Sequence, residues 1–207
     1  MLSRIFSSAK NLNLKYIFPT PDRSTLVLRT DSFVLPYRKE YKYRYLKRTM
    51  GTIIKTATKK DLKKIQELNL KLSKKEKEEY DSLLDLDKIS KDGVKHIKDK
   101  VSKKDSCVFV AIIDKKIIGY LYGKLAKTGS FGRLPTISVA EIESFFVSDE
   151  YGCKGIGKKL YNRFIKWSKS KNADKARLDV HPQNKLAIKF YKNNNFKDYY
   201  LTLEKDL

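Results

Sequence analysis

Apolar positions along the chain switch between two periods, and each switch predicts a new element. Thr52-Ile-Ile-Lys-Thr-Ala-Thr reads as a strand. Thr58 with Asp61 three residues on is a capping pattern, and Leu62, Ile65 and Leu68 or Leu70 then share one helical stripe. Over residues 72–104 apolar positions are sparse, at Tyr80, Leu83, Leu84, Val94 and Ile97. That predicts one or two short exposed helices, with Gly93 as a breaker. The period then shortens. Residues 107–113 are apolar throughout, Asp114-Lys-Lys is a turn, and 117–125 is the return strand of a hairpin. After a loop over 129–135, residues 138–147 form a further strand. The helical period returns over 156–169, with Ile156, Leu160, Phe164 and Trp167 as its inner stripe. Residues 175–180 are a strand, and His181-Pro-Gln turns the chain. Asn184 is a suitable N-cap for a helix carrying Leu186, Ala187, Phe190 and Tyr191. Asn193-Asn-Asn ends that helix, because asparagine is the best substitute for glycine in a left-handed C-terminal position. Residues 196–203 are expected as a last strand.

From Met50 the order is β, one to three α, then β-β-β-α-β-α-β. This predicts an α/β (α+β) domain over 50–207, with a mixed sheet and helices packed on it. Residues 1–49 stand apart. They hold most of the arginines and few acids, periodicity is weak beyond 25–28, and Pro19, Pro21 and Pro36 interrupt them. Three readings stay open. The first ten residues are basic, contain serine and lack acids, as a presequence does. The Arg38 to Arg48 run interleaves aromatics with cations, which suits a nucleic-acid strand. The segment also reads as a basic extension outside the domain, or as untranslated sequence, with Met50 a natural start.

Composition narrows the classes. A chain of 207 residues fits one domain, or one domain and an appendage. The net charge of +22 favours anionic partners: nucleic acid, acidic protein surfaces, anionic lipid or a polyphosphate cofactor. It also suits a lysine-rich coat on every solvated face. Two cysteines, Cys107 and Cys153, and two histidines, His96 and His181, show no metal-ligand spacing, so no metal is expected. Free thiols in a reducing cytosol are favoured over one disulfide. No transmembrane segment is expected, since no run of about 18 uninterrupted apolar residues occurs. A cytoplasmic monomer or homodimer follows, or an organelle-targeted one if residues 1–25 act as a presequence.

The candidate chemistry lies where the strand over 138–147 meets the helix over 156–169. The turn between them reads Ser-Asp-Glu-Tyr-Gly-Cys-Lys-Gly-Ile-Gly-Lys-Lys-Leu from Ser148. A helix start offers unpaired N–H groups and the positive end of the helix dipole, and Gly155 and Gly157 let a phosphate approach. Lys154, Lys158 and Lys159 add positive charge. The run from Gly152 nearly forms a Walker A loop, but Lys159 stands where a magnesium-holding hydroxyl is required. A dinucleotide fingerprint would need glycine at Leu160. A ligand-free tight turn remains the bland reading.

The run from Glu141 to Leu160 resembles the acetyl-CoA-binding motif of the GNAT N-acetyltransferase superfamily: an apolar strand ending in valine, then [Arg/Gln]-x-x-Gly-x-[Gly/Ala] opening a helix. The run from Asn184 to Phe196 resembles that family's second motif, Asn-x-x-Ala-x-x-[Phe/Leu]-Tyr-x-x-x-Gly-Phe. Both stand in order, one strand apart, and the resemblance covers about residues 51–207. Two positions depart from it. Gly152-Cys153 replaces the arginine or glutamine and its small neighbour, and Asn195 replaces glycine.

The resemblance implies a mostly antiparallel sheet and acetyl-CoA as acetyl donor. Backbone groups of Lys154, Gly155, Ile156, Gly157 and Lys158 would hold its pyrophosphate, and those of Phe146 and Val147 its pantetheine arm. Asn184, besides capping its helix, would face the cofactor. The acceptor would be a primary amine: a protein N-terminus, a lysine or a small amine. At neutral pH an alkylamine with pKa ~10.4 is mostly charged, so its proton must be removed. Glu143 and Asp179 are the candidate bases. Tyr191 is the candidate donor to the departing thiolate, and His181 a candidate wall of the acceptor site. A polycationic acceptor would require acids gathered locally, as over residues 76–87. The alternative function is nucleic-acid binding through the basic N-terminal segment, on a catalytically weak acetyltransferase-like scaffold.

Overall fold

Seven apolar residues in a row at 107–113 need cover on both faces of whatever sheet they join, and the chain supplies it with helices from both sides. The computed structural model describes residues 16–19, 26–29, 51–128, 136–152 and 155–205. Contacts divide the chain into Met1–Met50 and Gly51–Leu207. In the first unit, β1 (Tyr16–Pro19) and β2 (Leu26–Arg29) pair antiparallel, with Tyr16 opposite Arg29. The expected presequence and the Arg38–Arg48 run lie outside the described residues.

The second unit runs β3 (Ile53–Thr56), α1 (Leu62–Glu79), α2 (Leu86–Ser102), β4 (Ser106–Ile113), β5 (Lys116–Lys127), β6 (Ser138–Val147), α3 (Ile156–Ser170), β7 (Lys175–Leu178) and α4 (Lys185–Lys192). Its sheet has the order β3-β4-β5-β6-β7, antiparallel except for the parallel β6–β7 pair. This is the mixed, mostly antiparallel sheet flanked by helices that the sequence predicts. Asp114 and Lys115 both take positive φ (48° and 63°), so β4 and β5 join through a two-residue turn whose twist matches the strands.

β4 alternates between two cores. Cys107, Phe109, Ala111 and Ile113 face Ile156, Leu160, Tyr161 and Phe164 of α3. Val108 and Val110 face Leu62, Ile65 and Leu68 of α1 and Ile97 of α2. Cys107 is buried there, and burial pushes its thiol pKa to about 12, so it is an inert packing residue. α1 starts where Thr58 donates both its backbone N–H (2.8 Å) and its hydroxyl (2.9 Å) to the Asp61 carboxylate. Burial alone would raise the Asp61 pKa, but these bonds and the Lys55 ammonium outweigh it and hold the pKa down.

Two expected elements differ. Residues 72–104 are not short helices broken at Gly93. They complete α1 and form α2, which runs straight through Gly93. A Cβ at Gly93 would sit 2.2 Å from the Gln66 side-chain amide, so the glycine admits close packing of α2 on α1, and that contact outweighs its poor helix propensity. The strand expected at 196–203 is not formed. Phe196 packs on the core, but Tyr200, Leu201 and Leu203 are exposed. Arg177 of β7 lies over the Tyr199 ring, so the segment runs beside the edge strand of the sheet without joining its ladder.

The feature that creates the site lies within β6. Tyr122 of β5 faces Ser144, but Gly123 faces Ile142, so Glu143 is an extra residue and the strand bulges there. Pairing with β7 runs from Val139 opposite Lys175 to Ile142 opposite Leu178, and stops at the bulge. From Glu143 to Val147, β6 is paired on its β5 side alone.

Candidate active site

The opening between β6 and β7 is the mouth of a cavity of about 430 Å³. Its walls come from α1, α2, β5, β6, β7 and α4, and include Glu143, Asp179, His181, Asn184 and Tyr191. Four of the residues singled out in the sequence for transfer chemistry or its binding site therefore share one space, with His181 beside them. Asn184 accepts a bond from the Ala187 N–H at 3.0 Å, capping α4 from the cavity wall. Asn195 takes the left-handed conformation at φ 65°, as its place after α4 requires.

Tyr191 packs against Phe190 and Phe196. Burial, helped by the neighbouring Tyr161, raises its phenol pKa far above the ordinary value, so it keeps its proton throughout neutral pH. Glu143 is held differently. Its carboxylate pairs with Lys100 of α2 and, at 3.1 Å, with Lys124 of β5. Burial raises its pKa, but the two ammonium groups outweigh this and lower it, which makes Glu143 a weak base. Its side chain is only 20% exposed although the residue as a whole is open to solvent, so the accessible part is backbone. Asp179 is exposed at the end of β7.

Behind these groups a polar chain ties α1 to the sheet. The Tyr120 hydroxyl donates to Asn69 Oδ1 at 2.8 Å and lies 2.8 Å from Ser144 Oγ. Across the cavity, Tyr80 stacks on His181 with ring centroids 5.3 Å apart. Glu76, Tyr80, Asp81, Asn69 and Ser144 all line the cavity, and none was singled out for chemistry in the sequence beyond the acid content of 76–87. For Asn69 and Glu76 the local signal is a helical stripe containing an acid, which a solvated helix face also shows.

The expected cofactor loop lies at the start of α3, beside this cavity and not in its lining. Gly155 is left-handed at φ 74°, with nothing within 4 Å of where its Cβ would be. A Cβ at Gly157 would lie 3.4 Å from the ring of Phe145, which itself lines the cavity. The loop and the cavity thus adjoin at Phe145. α2 and α4 begin with side-chain caps from Asp85 and Asn184, but among the described residues α3 has neither a side-chain cap nor an acid in its first turn. The first helical bond runs from Lys159 N–H to the Gly155 carbonyl, so the N–H groups of Ile156, Gly157 and Lys158 precede it. Lys158 directs its ammonium to the Asn194 side chain and over the Tyr161 ring. Phe146 and Val147 follow the bulge in the open half of β6 and pair with Tyr120 and Gly119 on the other side. Lys154 and Cys153 lie outside the described residues. A bare helix start beside an open strand edge fits a ligand that carries a polyanion at one end and amide groups along its length.

Comparison with known proteins gives this arrangement a family. Residues 50–196 match the model of the acetyltransferase (GNAT) family. An uncharacterized N-acetyltransferase of Methanocaldococcus jannaschii is 30% identical over 90 residues, which span 44% of this chain and 38% of that protein. A predicted acetyltransferase from Clostridium acetobutylicum, solved with acetyl-CoA, shares the fold at a TM-score of 0.62 and 17% identity, covering 75% of this chain and 96% of that one. An aminoglycoside N-acetyltransferase solved with CoA does so at a TM-score of 0.58 and 17% identity, covering 75% and 94%. At these identities the solved structures establish the fold.

Proposed function

The chain belongs to the acetyltransferase (GNAT) family, and from that premise we propose that it is an acetyl-CoA-dependent N-acetyltransferase acting on a primary amine at the β6–β7 opening. The observation that carries this is the conjunction of an uncapped α3 start with a strand whose pairing ends at the Glu143 bulge. Acetyl-CoA, when bound, supplies an activated acetyl group whose C–S bond breaks as the amide bond forms.

The residues divide the remaining work. The N–H groups of Ile156, Gly157 and Lys158 face anionic oxygen, with the positive end of the helix dipole behind them. The unpaired side of β6 at Phe146 and Val147 offers backbone partners to amide groups. Tyr191 acts as a hydrogen-bond donor to sulfur. Its raised pKa lies above the ordinary thiol value of ~8.5, so full proton transfer from it would be uphill, while donation costs nothing. The amine proton passes to a carboxylate. Asp179 is the better acceptor in this reading, because Glu143 is already satisfied by Lys100 and Lys124. Glu143 then anchors the bulge.

The test is calorimetric titration with coenzyme A, followed by free-thiol release from acetyl-CoA over a panel of amines. Micromolar binding with amine-dependent release is expected. Absence of binding up to millimolar coenzyme A would reject the reading.

A further inference from the structure

The chain carries 46 Lys and Arg residues against 24 acids, yet the described lining of the cavity contains neither Lys nor Arg. It contains four carboxylates: Glu76, Asp81, Glu143 and Asp179. Glu143 is neutralised by Lys100 and Lys124. Among the described residues no cation pairs with the other three. In a molecule of charge +22 this is the reverse of the surrounding field.

Glu76 and Asp81 sit together at the C-terminal end of α1, beside the stacked rings of Tyr80 and His181. Glu76 projects into the cavity from the last turn of the helix, where the dipole already disfavours negative charge. Asp81 accepts the Leu83 N–H at 3.0 Å, which fixes its position. Burial first, and the nearby Asp81 second, raise the Glu76 pKa, as expected of two like charges with no cation between them. Carboxylates beside an aromatic stack attract cations both by charge and by the ring faces.

Building on the acetyltransferase reading, we propose that the acceptor is an amine bearing a second positive charge, a diamine or polyamine, whose distal ammonium is held by Glu76 and Asp81. In the transfer, the proximal ammonium gives one proton to a carboxylate, its nitrogen forms the amide bond as the C–S bond breaks, and the second proton it sheds goes to the departing sulfur, which leaves as the thiol. The distal ammonium stays charged and unreacted. Glu76 is then a specificity-determining residue, distant in sequence from both motifs.

The experiment uses the full chain and acetyl-CoA, with 1,3-diaminopropane and propylamine as acceptors of equal carbon skeleton. The diamine is expected to have the higher kcat/KM by about tenfold, the size of one partly screened ion pair. Most of the gain should lie in KM, and it should shrink as salt rises. Glu76→Gln should bring the ratio of the two acceptors towards one, and Asp81→Asn should lower it by a smaller factor. Coenzyme A titration of each variant reports whether it has folded, and the second variant stands in if the first has not. Equal kcat/KM for the two amines overturns this proposal, as does a ratio untouched by either folded variant, or coenzyme A binding without acetylation of either amine. Each of these leaves the coenzyme A site intact. Loss of coenzyme A binding in the unmodified chain is the separate result that removes the acetyltransferase reading, and this proposal with it.

Discussion

The two halves of β6 are adjacent stretches of one strand with opposite fates. Residues 138–142 lie between β5 and β7, hydrogen-bonded on both sides. Residues 143–147 keep β5, but among the described residues no strand lies on the other edge. The first half is structural, with Val139 and Ala140 fully buried and Ile142 nearly so. The second half is the binding edge in the proposed function, since its backbone polar groups must find a partner other than a β7 strand. A single inserted residue, Glu143, makes the difference. The regular sheet is interrupted here, and two lysines pair with the inserted Glu143.

The comparison can be broken first at the open half. Tyr191→Phe removes the hydroxyl while keeping the ring packed on Phe190 and Phe196. If that hydroxyl serves sulfur, kcat should fall about 100-fold, the lower range for a positioned acid–base group, with coenzyme A affinity unchanged. Steady-state kinetics beside calorimetry separates the two. Unchanged turnover would make Tyr191 a core aromatic only.

Next comes the bulge. A Cβ at Gly123 would lie 2.2 Å from the Glu141 carbonyl oxygen and 2.9 Å from Phe164. The carbonyl belongs to the partner strand and cannot swing aside as a side chain can. Gly123→Ala should therefore cost about 2 kcal/mol, within the range for overpacking a well-filled core, read as a lower denaturant midpoint. It should also weaken coenzyme A binding, because β6 would have to shift away from β5. Loss of stability with full affinity would show that the bulge does not set the opening.

The smallest effect concerns the lysines. The folded Glu143 pKa lies below its ordinary value of 4.5. The stability this contributes is thus fully present above 4.5 and lost as pH falls through the folded value. Denaturant midpoints measured from neutral pH down into the acid range should drop there. Lys100→Met should flatten that drop by about 1 kcal/mol or less, as for a pair still partly exposed. An unchanged acid profile would detach the lysines from the bulge.

Much of this was legible in the chain because its signals are local. The hairpin at Asp114-Lys115, the caps at Asp61 and Asn184, the alternation of β4 and the left-handed Asn195 each depend on a few consecutive residues. So do the two family motifs. The errors came where a distant residue decides. Gly93 reads as a breaker until Gln66 is placed beside it. Tyr199-Tyr200-Leu201 reads as a strand, yet beside β7 it meets Arg177 through a ring contact and forms no ladder. Glu143 reads as one of two candidate bases, and nothing local announces its ion pairs with Lys100 and Lys124, which come from another helix and another strand.

The sequence alone therefore determined the order of strands and helices from β3 to α4 and the identity of the family, since each rests on short-range periodicity or on contiguous motifs. Only the tertiary structure decided which carboxylates are neutralised and which face the cavity. Charge pairing acts through space, over a few ångströms, between groups the chain sets far apart. Glu76 and Asp179, more than 100 positions from each other, share a wall that no stretch of sequence could have drawn.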